Sequence, residues 1–194
     1  MLGAMTDYAE LARLIENLIR IGTIAEVDLI KARVRVQTGD LLTGWLPWPA
    51  ARAGDDREWD PPTVNEQVVL LSPSGQLANG VAILGVFSDA HPANGDRAKL
   101  HRRTYSDGAV IEYDSQAHHL RAHLPGGGST ELISDGGVHI VGDITLDGDL
   151  IQTGNQHVTG NVEVTVDVVT AGISLVHHVH GGVQIGGSNT GAPK

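Results

Sequence analysis

Three histidines in the segment His177-His-Val-His180 have the types and spacing that can bind a metal ion. On a β-strand, residues two apart project from the same face, so His178 and His180 would point one way and His177 the other. Two imidazoles from one chain leave a metal ion incompletely coordinated. Three copies around an axis would supply six nitrogens in two stacked triangles, an octahedron that suits Fe(II), Ni(II) or Co(II) better than zinc.

The residues before this motif repeat with a period of six. Glycine followed by Asp or Asn recurs at Gly142, Gly148, Gly154 and Gly160, with Gly136 and Gly172 in the same phase. These pairs favour corners, because both residue types tolerate left-handed backbone. Even-numbered positions between the corners are often apolar: Val138, Ile140, Ile144, Leu146, Leu150, Val158, Val162, Val164, Val166 and Val168. Short strands with regular corners and one apolar face predict a β-helix.

The repeat is too short for a β-helix made by one chain. A single-chain helix uses roughly three hexads per coil, so 136–168 would give fewer than two coils and no core of its own. Three intertwined chains would share one core, which predicts a homotrimer. The inward phase favours a metal site over the alternative, a solvated strand end. Apolar residues shift to odd positions at Ile173 and Leu175, which a bulge near Gly172 would explain.

The residues upstream of the repeat predict a helix followed by a small β-barrel. Helical spacing extends over about 6–20, with Gly22 as a stop, and its apolar positions are Leu11, Leu14, Ile15, Leu18 and Ile19. This helix would pack on its own domain, on copies of itself or on a neighbouring ring. About five short strands between 22 and 88 suit an OB-fold. Their signals are the alternation at 31–37 (Ala32, Val34 and Val36), the runs 67–72 and 80–86, the turn 72–75 and the polar loop 55–62.

Composition argues against several classes of protein. The 194 residues include no cysteine, so neither disulfides nor thiolate metal sites are expected. The formal net charge is −10 and no basic stripe is visible, which argues against nucleic acid as a partner. No secretory signal and no apolar run of membrane-spanning length are evident. No nucleophile, paired-carboxylate or phosphate-loop motif stands out, so we assign no catalytic residues and expect no enzyme.

Three weaker candidates have ordinary alternatives. His119 and His123 would share a strand face but lie too far apart to chelate one ion well. Acidic residues at 143, 147 and 149 could bind calcium where chains converge, although a solvated corner explains them as well. The tryptophans Trp45, Trp48 and Trp59 could stack on bases or sugars, but packing in a core or interface is the favoured interpretation.

Three stretches carry a resemblance to a known family: Trp45-Leu-Pro-Trp48 with the acidic loop after it, Glu66–Gly75, and Ser174–Pro193 with its His-x-His-Gly-Gly. They resemble baseplate assembly protein V, the central spike of contractile-tailed phages and pyocin-like particles. The resemblance implies an OB-fold, a trimeric β-helix spike and one iron ion per trimer, held by His178 and His180. It implies tail tube and baseplate hub proteins as partners and the host outer membrane as target. Calcium or chloride in the spike is an additional candidate.

We therefore predict a mostly β protein in four parts: an N-terminal helix (1–21), an OB-fold domain (22–98), an intertwined trimeric β-helix spike (99–170) and a metal-binding tip (171–194). The predicted function is mechanical, a spike that caps the tail tube and pierces the outer membrane. It would reside at the tail tip of the virion after assembly in the host cytoplasm. The alternatives are an OB-fold module for sugar or nucleic acid on a trimeric stalk, and a hexapeptide-repeat enzyme with an intersubunit histidine.

Overall fold

The computed structural model describes residues 2–182 and 186, with side chains from residue 7 onward. The chain forms two compact units, Met1–Ile133 and Ser134–Lys194. Within the described residues the chain has one α-helix and ten strands, which confirms the mostly β prediction. None of the helical segments in this part is long and apolar enough to cross a bilayer. The predicted tip, 171–194, lies partly outside the described residues, which omit 183–185 and 187–194.

The N-terminal helix, α1 (Leu2–Glu16), ends four residues before the predicted end at about residue 20. Asn17 N–H donates to Arg13 O (3.1 Å) in the last helical turn, and the chain then leaves the helix. Ile19 begins the first strand because it pairs there with Leu71, which gives the backbone a ladder partner. The apolar spacing had extended the predicted helix through Leu18 and Ile19, so that boundary was wrong.

A five-stranded antiparallel sheet forms the barrel, in the order β3-β2-β1-β4-β5. Its strands are β1 (Ile19–Asp28), β2 (Arg33–Thr38), β3 (Leu41–Leu42), β4 (Gln67–Leu71) and β5 (Val81–Val86). The long β1 pairs with β4 through its first half and with β2 through its second half. Gly22 allows this close crossing, since a Cβ there would lie 2.6 Å from Gln37 O. Leu46 then bonds to Val34 of β2, and Pro47 O accepts from Ala82 N–H of β5 (3.0 Å), which joins the two sides of the sheet.

The core of the barrel consists of the fully buried side chains Ile24, Val34, Val36, Val68 and Ala82. The predicted inward alternation of β2 is thereby confirmed for Val34 and Val36. Ala32, predicted on the same face, instead lies in the turn before β2 with a left-handed φ of 51°.

A second antiparallel sheet, in the order β6-β7-β8, completes the first unit. Its strands are β6 (Leu100–Thr104), β7 (Val110–Asp114) and β8 (His119–His123). Glu112 in the middle strand lies between Arg102 (2.7 Å) and Arg121 (3.8 Å), so ion pairs cross all three strands. These residues fall in the range predicted as β-helix, but they pair locally as a meander.

The described part of the second unit contains two short strands, β9 (Val169–Thr170) and β10 (Ile173–Ser174), which pair antiparallel. The stretch 134–168 contains no strand paired with any other described residue, and it bends at Gly142, Gly148 and Gly154. These three bends lie six residues apart.

Candidate metal centre

The bends of the second unit occur where the repeat predicts corners. Gly142, Gly148 and Gly154 have φ values of 134°, 147° and 115°, a range that side chains with a Cβ rarely adopt. Open space surrounds each of them, so backbone conformation and not crowding requires glycine here. The predicted corner role is confirmed at these three positions.

The apolar positions between the corners are uncovered. All ten even-numbered side chains of the repeat are solvent-exposed, from 43% at Val168 to 84% at Val166. Alternation places them on one face of an extended chain. A soluble chain rarely leaves so long an apolar row in water, which marks this face as an interaction surface.

A two-residue turn follows the repeat. Ala171 (φ 48°) and Gly172 (φ 82°) connect β9 to β10, with Ile173 opposite Thr170 and Ser174 opposite Val169. Positive φ at both central residues is the pattern of a tight hairpin. The shift of apolar residues to odd positions therefore reflects a chain reversal, and the predicted bulge near Gly172 was wrong.

Asp167 ties the two arms of this hairpin together. Its carboxylate oxygen accepts from the N–H groups of Val168 (2.8 Å) and Val176 (3.1 Å). A hydrogen bond from the Ser174 hydroxyl lowers the pKa of Asp167, partial desolvation opposes it, and the backbone donors lower it further. The Ser174 hydroxyl in turn accepts from His177 N–H (2.8 Å). These contacts connect the last hexad to the histidines.

The histidines follow a turn rather than the predicted strand, because His178 N–H donates back to Ser174 O (3.1 Å). The rings of His178 and His180 nevertheless lie side by side, with centroids 5.0 Å apart and planes at 80°. His177, predicted to face away, lines the same exposed groove as the other two. All three side chains are exposed.

The ring of His178 has the hydrogen bonding of a metal ligand. Its Nδ1 lies 3.0 Å from the carbonyl oxygens of both Ser174 and Leu175. A carbonyl oxygen only accepts, so Nδ1 carries the proton and Nε2 of the neutral ring keeps a free lone pair. Backbone carbonyls hold metal-binding histidines in this way in many proteins. The imidazole donors therefore fit a metal ion that prefers nitrogen ligands. Among residues 2–182 and 186, no three His, Asp or Glu side chains of one chain lie close enough together to hold such an ion.

The weaker candidates occupy other places. His119 and His123 are exposed on β8, where they pair with Asp114 and Val110 of the neighbouring strand. Trp48 packs against the barrel core and contacts Trp59 at 5.9 Å between ring centroids, and Trp59 itself is 61% exposed. Sequence reasoning missed Asp167 and Ser174 as organisers of the tip, because their spacing has meaning only once the hairpin is known.

Two family profiles match the chain. Residues 20–87 match the type VI secretion system/phage-baseplate injector OB domain, and residues 172–194 match the GpV apex motif. The first range spans the five strands of the barrel, and the second contains His178 and His180.

A phage protein is also similar to the chain. The spike protein of Escherichia phage P2 is 40% identical over 119 residues, which make up 61% of this chain and 56% of the relative. The match thus spans a little over half of the relative's length. The matches to an injector OB domain and to a GpV apex motif, together with the similarity to a phage spike protein, confirm the resemblance of the sequence to the baseplate assembly protein V family.

Proposed function

We propose that this protein is the central spike of a contractile-tail baseplate and that it acts as a homotrimer with a metal ion near its tip. The uncovered apolar row from Val138 to Val168 carries the proposal. Burying a Val, Leu or Ile side chain stabilises a protein by about 1.5–3 kcal/mol. With ten such side chains about half exposed, a single chain lacks on the order of 10 kcal/mol of stabilisation that their full burial would provide. Three copies that turn this row toward a common axis would recover it.

The backbone of the same stretch supports this arrangement. Among the described residues, the backbone N–H and C=O groups of 134–167 have no partner on a neighbouring strand, although extended backbone is stabilised when these groups pair. Bends every six residues would let each copy supply one side of a prism and pair with its neighbours. An intertwined shaft of this kind leaves few free edges and is stiff along its length.

His178 and His180 are the proposed ligands of an iron ion at the tip. Each chain contributes two adjacent imidazoles, and the carbonyls of Ser174 and Leu175 already fix the tautomer of His178. Six nitrogens from three chains suit iron(II), nickel(II) or cobalt(II), and the family resemblance selects iron. Bound metal would fasten three chain ends that have few apolar residues of their own.

The proposed role is mechanical and not catalytic. Similarity to a phage spike protein supports a place at the baseplate tip of a virion, after synthesis in the host cytoplasm. There the barrel would cap the tail tube against the hub proteins, and the shaft would be driven through the host outer membrane. Nucleic acid has no part in this role, and the net charge of −10 agrees with that.

Light scattering of the full chain, combined with elemental analysis, tests the proposal. We expect the mass of three chains at micromolar concentration and one iron ion per three chains. A monomer at that concentration would refute the spike, since the apolar row would then be stable in water. A trimer without metal would refute the ligand assignment alone.

One observation favours a second function, ligand binding by the barrel. Trp48 and Trp59 line an exposed pocket together with Arg52 and Arg57, and such a surface can stack on sugars or bases. Titration with oligosaccharides and single-stranded DNA, followed by tryptophan fluorescence, distinguishes the two. Saturable binding that Trp59→Ala abolishes would support the binding module.

A further inference from the structure

Helix α1 has an apolar seam with the spacing of a coiled coil. Ala4, Tyr8, Leu11 and Ile15 recur at alternating intervals of four and three residues, the a and d positions of a heptad. Tyr8, Leu11 and Ile15 are 74%, 53% and 58% exposed, so the described chain leaves these three side chains largely uncovered. We call these four residues the α1 seam.

The contact that holds the helix on the barrel involves Leu14, which is not a residue of the α1 seam. That contact lies at Gly75, where a Cβ would come within 2.6 Å of Leu14 Cα. Ser72 N–H donates to Leu18 O (2.9 Å) just after the helix, which fixes its C-terminal end. Glu10 and Arg13 pair on the polar side (2.7 Å). The helix is therefore anchored at one end and presents the seam outward.

The spacing identifies what covers the seam. With Leu14 packed on the barrel, the uncovered residues Tyr8, Leu11 and Ile15 form an a/d stripe, the pattern by which one helix packs on another in a coiled coil. A helix of fifteen residues is marginal alone, so its partner must be held close. In a cyclic trimer, helices close to the axis meet through the same residues of each copy, and a joined shaft raises their effective concentration.

We infer that the α1 helices of three copies pack against one another through the α1 seam, as a parallel three-helix bundle at the other end of the chain from the histidines. This inference rests on the proposed trimer and deepens it, because it assigns the helix a partner of stated identity. The trimer would then be joined through both the shaft and the helix.

Disulfide trapping tests the bundle, because the chain has no native cysteine. Leu11→Cys in the full chain should form covalent dimers under mild oxidation, and Ala9→Cys, an exposed position off the seam, is the matched control. A disulfide requires Cα atoms within about 7 Å, so we expect about tenfold more covalent dimer from Leu11→Cys than from Ala9→Cys. Ile15→Cys gives an independent position if Leu11→Cys does not fold.

The outcomes separate this inference from the proposed function. A mass of three chains with selective trapping at Leu11 or Ile15 supports both. A mass of three chains with equal trapping at Leu11 and Ala9 overturns the bundle but not the proposed spike. The α1 seam would then bind another baseplate protein. A monomeric mass overturns the trimer and the bundle together.

Discussion

Replacing Val164 with Asp should prevent assembly of the shaft. Val164 is 47% exposed in the single chain, so covering it in a trimer would contribute about 1 kcal/mol per copy, half the value for a fully buried valine. The carboxylate adds more, because an unpaired charge in a dry interior costs several kcal/mol even after relaxation. Three copies bring three such charges together, so we expect the trimer to lose on the order of 10 kcal/mol.

The matched control for this variant is Val141→Asp. Val141 has the opposite parity, so in the proposed shaft the same charge would lie on the outer face, in water. Light scattering and the thermal resistance of the trimer in detergent should show a normal assembly for Val141→Asp and monomers or aggregates for Val164→Asp. If both variants assemble and melt alike, the even-numbered face is not the inward face and the reasoning from the hexads fails.

Three further predictions concern the tip and the barrel. His178→Ala or His180→Ala should abolish bound iron in the purified trimer, measured by elemental analysis, because each removes three of six proposed ligands; His177→Ala should retain it. Asp167 has a lowered pKa, so its hydrogen bonds stabilise the hairpin above the ordinary pKa of an aspartate and are lost as pH falls through the lowered value. The protection of the hairpin amides from exchange, relative to an unstructured chain at the same pH, should therefore fall in acid, and Asp167→Asn should remove most of this acid dependence. Gly75→Ala should destabilise the first unit by about 1–3 kcal/mol in urea unfolding, because its φ of 70° and the close α1 backbone leave no room for a Cβ.

Each of these changes has a control and an outcome that contradicts it. Loss of iron from His177→Ala with retention in His178→Ala would mean that the ligands are assigned one residue out of register. Asp149→Asn changes the same chemistry away from the hairpin, and an equal effect on amide exchange would remove the special role of Asp167. Gly54→Ala meets nothing within 4 Å and should be neutral, so equal destabilisation by both glycine variants would refute the packing argument.

Local alternation predicted several strands of the barrel, because the burial of alternate side chains is a pattern within each strand. Val34 and Val36 alternate on β2 and are buried as expected, and the apolar run at 67–72 became β4. The end of α1 was not predictable from spacing, since Leu18 and Ile19 continue the helical pattern. Pairing of Ile19 with Leu71, distant in sequence, decides that boundary.

The tip shows a different limit. Periodicity detected a change of phase after Val169, but a bulge and a reversal both shift parity, and only the backbone of Ala171 and Gly172 distinguishes them. The hexad corners were predictable because their positive φ favours glycine at each position, whatever the rest of the chain does. The iron ion, the trimer and the division of the chain into four parts remain predictions.

The regular spacing of Gly142, Gly148 and Gly154 has a consequence for insertions and deletions. Removing or adding six residues preserves both the corner phase and the parity of the apolar face. A change by an odd number of residues would move every later side chain to the opposite face. A change by an even number that is not a multiple of six would displace the corners from their glycines. The length of such a segment can therefore change readily only in whole repeats, and length variants among natural relatives should differ by multiples of six.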